Sequence, residues 1–160
     1  MLDLSRLNPL ARDVAEHLFA VYPGWRDHAR ALPRGNSPVA TDAKPFADNG
    51  GDFLLVSVEA PRGNAHALTI ETDAYEVTLS FDYFHVHLDW PCEPPDELMM
   101  LVADILGERV AVIAHGDDGR HFGGATLIPA DTVMPQVPRL QGSPYRVRVR
   151  SWRGTLDRDF

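Results

Sequence analysis

The sharpest chemical signal in the chain is the run His85-Val86-His87-Leu88-Asp89. Two histidines and an aspartate two residues apart project from one face of a strand and can share a metal ion, the arrangement that a metal-dependent hydrolase needs. The same spacing also describes the polar face of an amphipathic strand, because Phe84, Val86, Leu88 and Trp90 form an apolar face and Tyr83, His85, His87 and Asp89 the other. Other catalytic patterns are weaker. Gly116-Asp117-Asp118-Gly119 and Gly123-Gly124 match neither a phosphate-cradling loop nor a dinucleotide fingerprint and read as turns, and Gly-x-Ser-x-Gly is absent. The single cysteine, Cys92, lies between Pro91 and Glu93 with no basic neighbour to lower its pKa, so it reads as an incidental or buried thiol. A Cys-His nucleophile with His85 or His87 is disfavoured by the prolines around it.

The His85–Asp89 run resembles the first part of the metal motif of the metallo-β-lactamase family, His-x-His-x-Asp-His, over five residues. Trp90 stands where that motif ends in histidine, His115 and His121 do not continue its pattern, and 160 residues is short for its four-layer fold. A metal at His85, His87 and Asp89 is therefore the alternative reading, and no metal and no cofactor the primary expectation.

Charge is segregated along the chain. Glu71 through Glu108 holds ten acidic side chains and no Lys or Arg, whereas Arg139 to Phe160 holds six Arg against Asp157 and Asp159. The total is -8, so the residues before Arg139 carry 9 minus 21, or -12. Such a field repels nucleic acid and anionic lipid and draws in basic proteins at salt-dependent rates. Arg146, Arg148 and Arg150, with Trp152 and Arg153 beside them, are read as a row on the solvent face of a terminal strand that pairs with carboxylates across the sheet or discourages edge pairing, rather than binding phosphates. The N-terminus has no basic stretch followed by an apolar run, and no apolar run is long enough to cross a bilayer, so a cytoplasmic location with no membrane partner is expected.

These groups need a scaffold, and the periodicities supply one. Asn8-Pro9 is a helix start, and Leu10, Val14, Leu18 and Val21 follow at helical spacing with Ala11, Ala15 and Phe19 beside them; Pro23-Gly24 ends the helix. A further helical turn or two is expected from Trp25 to Leu32. Residues 33–51 and 129–144, punctuated by proline, read as long loops. Strands are expected at Phe53–Val58, Leu68–Glu71, Tyr75–Phe81, Tyr83–Trp90, Val110–Ala114, Phe122–Ile128 and Tyr145–Trp152. Apolar residues shift from odd to even positions near Asp82, which requires a bulge or tight turn there. Leu98, Leu101, Val102 and Ile105 predict a helix from Asp96 to Leu106 with Gly107 as its C-terminal cap. Helix, strands, helix, strands is the order of an α+β fold: one domain over residues 1–160, with an antiparallel sheet of about six strands and the N-terminal and mid-chain helices packed against it.

With Glu76 to Leu88 and Leu101 to Val110 in view, the chain resembles the small immunity proteins encoded beside bacterial polymorphic or contact-dependent toxins. The resemblance rests on Glu-Val-Thr-Leu-Ser-Phe leading into Phe-His-Val-His-Leu, then a helix ending Ala-Asp-Ile-Leu-Gly-Glu-Arg-Val, and covers the middle third of the chain. It implies a partner rather than a substrate: a cognate, basic toxin protein, neutralised by covering an essential surface, with no catalytic residues in the inhibitor. The acidic field supports that expectation separately. The expected contact set is Glu71, Asp73, Glu76, Asp82, Tyr83, His85, His87, Asp89 and Trp90. The competing readings are the metal-dependent hydrolase and a non-catalytic regulatory module.

Overall fold

A computed structural model describes residues 2–33, 50–61, 66–90, 96–116, 122–141 and 145–160. Most of the 33–51 stretch, Cys92 and the turn Asp117-Asp118-Gly119 lie outside these residues. The described chain is α+β, with helices α1 (Pro9–Val21), α2 (Asp96–Leu106) and α3 (Ala130–Gln141). Strands β1 (Ala29–Leu32), β2 (Phe53–Val58), β3 (Leu68–Thr72), β4 (Glu76–Phe81) and β5 (Phe84–Asp89) form a five-stranded antiparallel sheet in the order of the sequence. Strands β6 (Val110–Gly116), β7 (Phe122–Pro129), β8 (Arg146–Arg150) and β9 (Arg158–Asp159) form a second sheet in the order β7-β6-β8-β9, antiparallel throughout. The strands are thus shared between two sheets rather than gathered in one of about six. No described helix is long and apolar enough to cross a membrane.

The chain divides into two compact units. The first comprises Met1–Val58, Thr69–Leu79 and His87–Asp96. In it α1 starts as the sequence predicts: Asn8 Oδ1 accepts the Ala11 amide at 2.7 Å, and Pro9 occupies the first helical position, where no amide is needed. Its buried stripe is Ala11, Val14, Ala15, Leu18 and Phe19, against β2; Val21, expected on that stripe, is 58% exposed at the helix end. The helical turn expected over Trp25–Leu32 is instead a 3-10 helix at Pro23–His28 followed by β1. Strand β1 pairs with β2 (Ala29↔Val56 to Leu32↔Phe53), and ladder hydrogen bonds outweigh a short run's helical preference. Leu7 bridges Asp52 beside Gly51, where a Cβ would come within 2.7 Å of the Asn8 nitrogen at a φ of +106°, so only glycine fits.

The second unit comprises Glu59–Leu68, Ser80–Val86 and Glu97–Phe160. Its second sheet buries Ala111, Ile113, Val147 and Val149, with Val133 and Leu140 of α3 against them. That helix replaces the loop expected over 129–144. Pro135 and Pro138 each remove a helical amide, at a usual cost of about 3 kcal/mol in a helix interior, which is why the sequence reads as loop. Burial of Val133 and Leu140, one helical face seven residues apart, opposes that cost, and Thr132 Oγ1 donates to the Pro129 carbonyl at 2.7 Å at the helix start. Helix α2 keeps its predicted bounds and Gly107 follows it directly, but the left-handed residue that closes it is not Gly107. The amide of Glu108 donates to Ile105 O at 3.0 Å and that of Arg109 to Asp104 O at 2.9 Å, a Schellman closure whose left-handed residue is Glu108 at φ +52°.

Candidate functional site

In the first unit the predicted residues lie on one face of strands β3 to β5. Period-two alternation buries Ile70, Thr72, Val77 and Leu79 on the inner face and turns Glu71, Glu76, Thr78, His87 and Asp89 outward. Asp73 closes the β3–β4 hairpin: its Oδ1 accepts the amides of Tyr75 at 2.6 Å and Glu76 at 2.8 Å, and its own amide donates to Glu76 O. Its carboxylate is thus partly committed to the turn.

Across β4 and β5, His87 Nδ1 lies 2.7 Å from Glu76 Oε1 and 3.1 Å from Thr78 Oγ1. One ring nitrogen serves both neighbours, so this is a cross-strand polar trio that fixes the imidazole plane. Asp89 is exposed one step further along β5. Glu71 is half-buried, and its Oε1 is enclosed without a hydrogen bond among the described residues. Burial pushes its carboxyl above the usual range, the neighbouring Asp73 charge adds to the rise, and Arg30 opposes it. Trp90 follows β5, its indole nitrogen donating to Asp13 Oδ2 on α1 at 2.9 Å and its ring meeting His17 edge-on at 6.0 Å. It is half-buried, with an apolar body at the surface and a tethered polar end.

The second unit holds Asp82, Tyr83 and His85. Asp82 takes the positive φ of +52° that turns β4 into β5, which explains the odd-to-even shift in the sequence; aspartate tolerates this conformation better than most residues. Its side chain is 0% exposed and bound to Arg148 Nη2 at 2.9 Å. His66 contributes its backbone amide at 3.4 Å and holds Nδ1 at 3.8 Å from the same oxygen. Tyr83 lies against His66 (5.1 Å between centroids) and under the Arg148 guanidinium (5.4 Å). The corner therefore presents Tyr83, 36% exposed, and keeps the acid inside. His66 and Asp82 have the residue types of an acid–base dyad, but 3.8 Å is beyond hydrogen-bond reach.

Sequence reasoning missed His66 and Arg148 as neighbours of Asp82, since no local pattern joins residues 16 and 66 positions apart. It also put the arginine row wholly on a solvent face. Arg146 is exposed, but the Arg148 side chain is 18% and that of Arg150 10% exposed; Arg150 meets Asp159 at 2.9 Å and Asp157 at 3.9 Å because β9 folds back along β8. Pairing with carboxylates is thus observed for both, though not on a solvent face.

His85, His87 and Asp89 alternate along β5 and are all exposed. Among the described residues no group of three or more His, Cys, Asp or Glu side chains is placed to hold a metal ion. No family model, no curated protein and no solved structure matches the chain.

Proposed function

We propose that this chain is an immunity protein that binds a cognate bacterial toxin domain in the cytoplasm and neutralises it through the acidic outer face of the five-stranded sheet. The observation that carries the reading is the joining of charge segregation to exposure. Ten acidic residues and no Lys or Arg lie between Glu71 and Glu108. On the outer face of the first unit, the exposed His87 and Asp89 stand with the half-buried Glu71 and Glu76. A basic partner is steered toward such a face, and an aromatic edge gives it an anchor once there. Trp90 supplies that edge, and Asp73 adds charge at the hairpin. In the second unit Tyr83 and His85 are the exposed candidates, since the Asp82 carboxylate is enclosed.

The test is co-expression with the C-terminal domain of a large secreted protein encoded beside this chain. Growth arrest relieved by the chain, and restored by Glu76→Lys with Asp89→Lys in a variant of unchanged circular dichroism, is the expected result. The complex should also weaken as salt rises. Failure to neutralise, or neutralisation indifferent to the charge reversal, would overturn the proposal. Stoichiometric metal that disappears with His85→Ala and His87→Ala would point to the hydrolase instead.

A further inference from the structure

Helix α3, which the sequence conceals behind two prolines, leaves a cleft of about 340 Å³ between itself and strands β6 and β7, all within the second unit. Its floor is apolar: Ile113 of β6, Ile128 of β7 and Leu140 of α3, of which Ile113 and Leu140 are 4% and 8% exposed. Its rim is polar: His115 and Thr126 from the sheet, Gln136 and Arg139 from the helix. The placement follows from the periodicities. Ile113 and His115 share a face of β6, Thr126 is the cross-strand partner of Ile113, and Gln136, Arg139 and Leu140 fall three and four apart on one side of α3. Gly124, the partner of His115, adds no side chain over that end of the cleft.

We infer that this cleft is a binding site for a small amphipathic carboxylate. Arg139 brings a fixed positive charge and paired donors, and among the described residues no Asp or Glu lines the cleft to compete for it, although the chain as a whole is acidic. Guanidinium matches a carboxylate's two oxygens, while Gln136 and Thr126 can bond a second polar atom. The three aliphatic side chains call for a hydrocarbon body. A water molecule occupies about 30 Å³ of liquid, so the space suits a ligand of roughly ten non-hydrogen atoms, at the small end of ligand pockets. Neither a dianionic phosphate nor a bulky cofactor fits one fixed cation on an apolar floor.

Octanoate, with octan-1-ol and octylamine as neutral and cationic controls, is the probe, titrated into the full chain and followed by amide NMR shifts. Octanoate should saturate shifts at β6, β7 and α3 and bind at least about tenfold tighter than octan-1-ol, the difference a charge-assisted hydrogen bond makes. Arg139→Gln, at an exposed position, should erase that difference while leaving octan-1-ol unchanged. Gly124→Val tests the cleft by another route: a Cβ there meets nothing within 4 Å, so the strand tolerates it, and the added side chain should obstruct both ligands. No saturable shift with octanoate, equal binding of acid and alcohol, or octanoate affinity unchanged in Arg139→Gln would each overturn the inference.

Discussion

Arg148 reaches Asp82 across 66 positions of sequence, its Nη2 2.9 Å from an aspartate oxygen whose side chain has no solvent exposure at all. The pair ties the corner between β4 and β5 to the middle of the second sheet, where β8 lies between β6 and β9. An enclosed carboxylate at a positive φ would be costly without a cation beside it, so Arg148 is what lets the corner close as it does.

Removing the cation alone should therefore be severe. Arg148→Met is expected to lower unfolding stability by about 3–5 kcal/mol, because it strands a buried negative charge. Adding Asp82→Asn, which keeps a side chain tolerant of that φ, should recover part of the loss. Urea midpoints of the two variants and the wild type check this, and a double variant no better than the single one would contradict the account.

Glu71 gives a pH dependence of definite sign. Its carboxyl is raised by burial and by Asp73, so between the unfolded value of 4.5 and the higher folded one the native state holds more proton than the unfolded state. Stability then falls as pH rises through that window. Glu71→Gln should accordingly be more stable than wild type at neutral pH and lose that advantage below pH 4.5. Denaturation midpoints across that range measure it.

Glu108 behaves in the opposite sense. Burial would raise its carboxyl, but hydrogen bonds from the Ser151 and Thr155 side chains and from the Arg153 and Thr155 amides together hold it below the usual value. Stability from these bonds is present above the unfolded value of 4.5 and lost as pH falls through the folded one. Glu108→Ala should be destabilised at neutral pH and converge on wild type in acid. Glu108→Gly should lose less, by about 1 kcal/mol, since glycine takes a φ of +52° without strain. Thermal unfolding of the three proteins at two pH values separates the contributions.

Asn8 serves two elements of the first unit. Its Oδ1 caps α1 at the Ala11 amide and its Nδ2 donates to the Asp73 carbonyl at 3.2 Å. Asn8→Ala should cost about 1–2 kcal/mol in unfolding free energy. Asn8→Ser should restore the cap without the Asp73 bond and fall between the two, and amide exchange at Ala11 should quicken only in the alanine variant.

Much of the scaffold was legible in the residues alone. Asn8-Pro9 marked the start of α1, Leu98, Val102 and Ile105 marked α2 to its ends, and short apolar runs together with period-two alternation placed β2 to β8 within a residue or two. These signals are local: caps and periodicities act within one or two turns or a few strand residues. The outward positions of His85, His87 and Asp89 follow from the same alternation.

What only the tertiary structure decided depends on distant partners. Whether Arg148 and Arg150 face water or meet Asp82, Asp157 and Asp159 is set by how β8 sits between β6 and β9, which no neighbouring residue encodes. Proline made Ala130–Gln141 read as loop, and a surface to bury Val133 and Leu140 made it a helix. The left-handed residue after α2 fell on Glu108 rather than Gly107 because its carboxylate has amide and hydroxyl donors waiting at residues 151–155. Local propensity amounts to tenths of a kcal/mol up to about 3 per residue, and burial or charge pairing across the fold is large enough to override it.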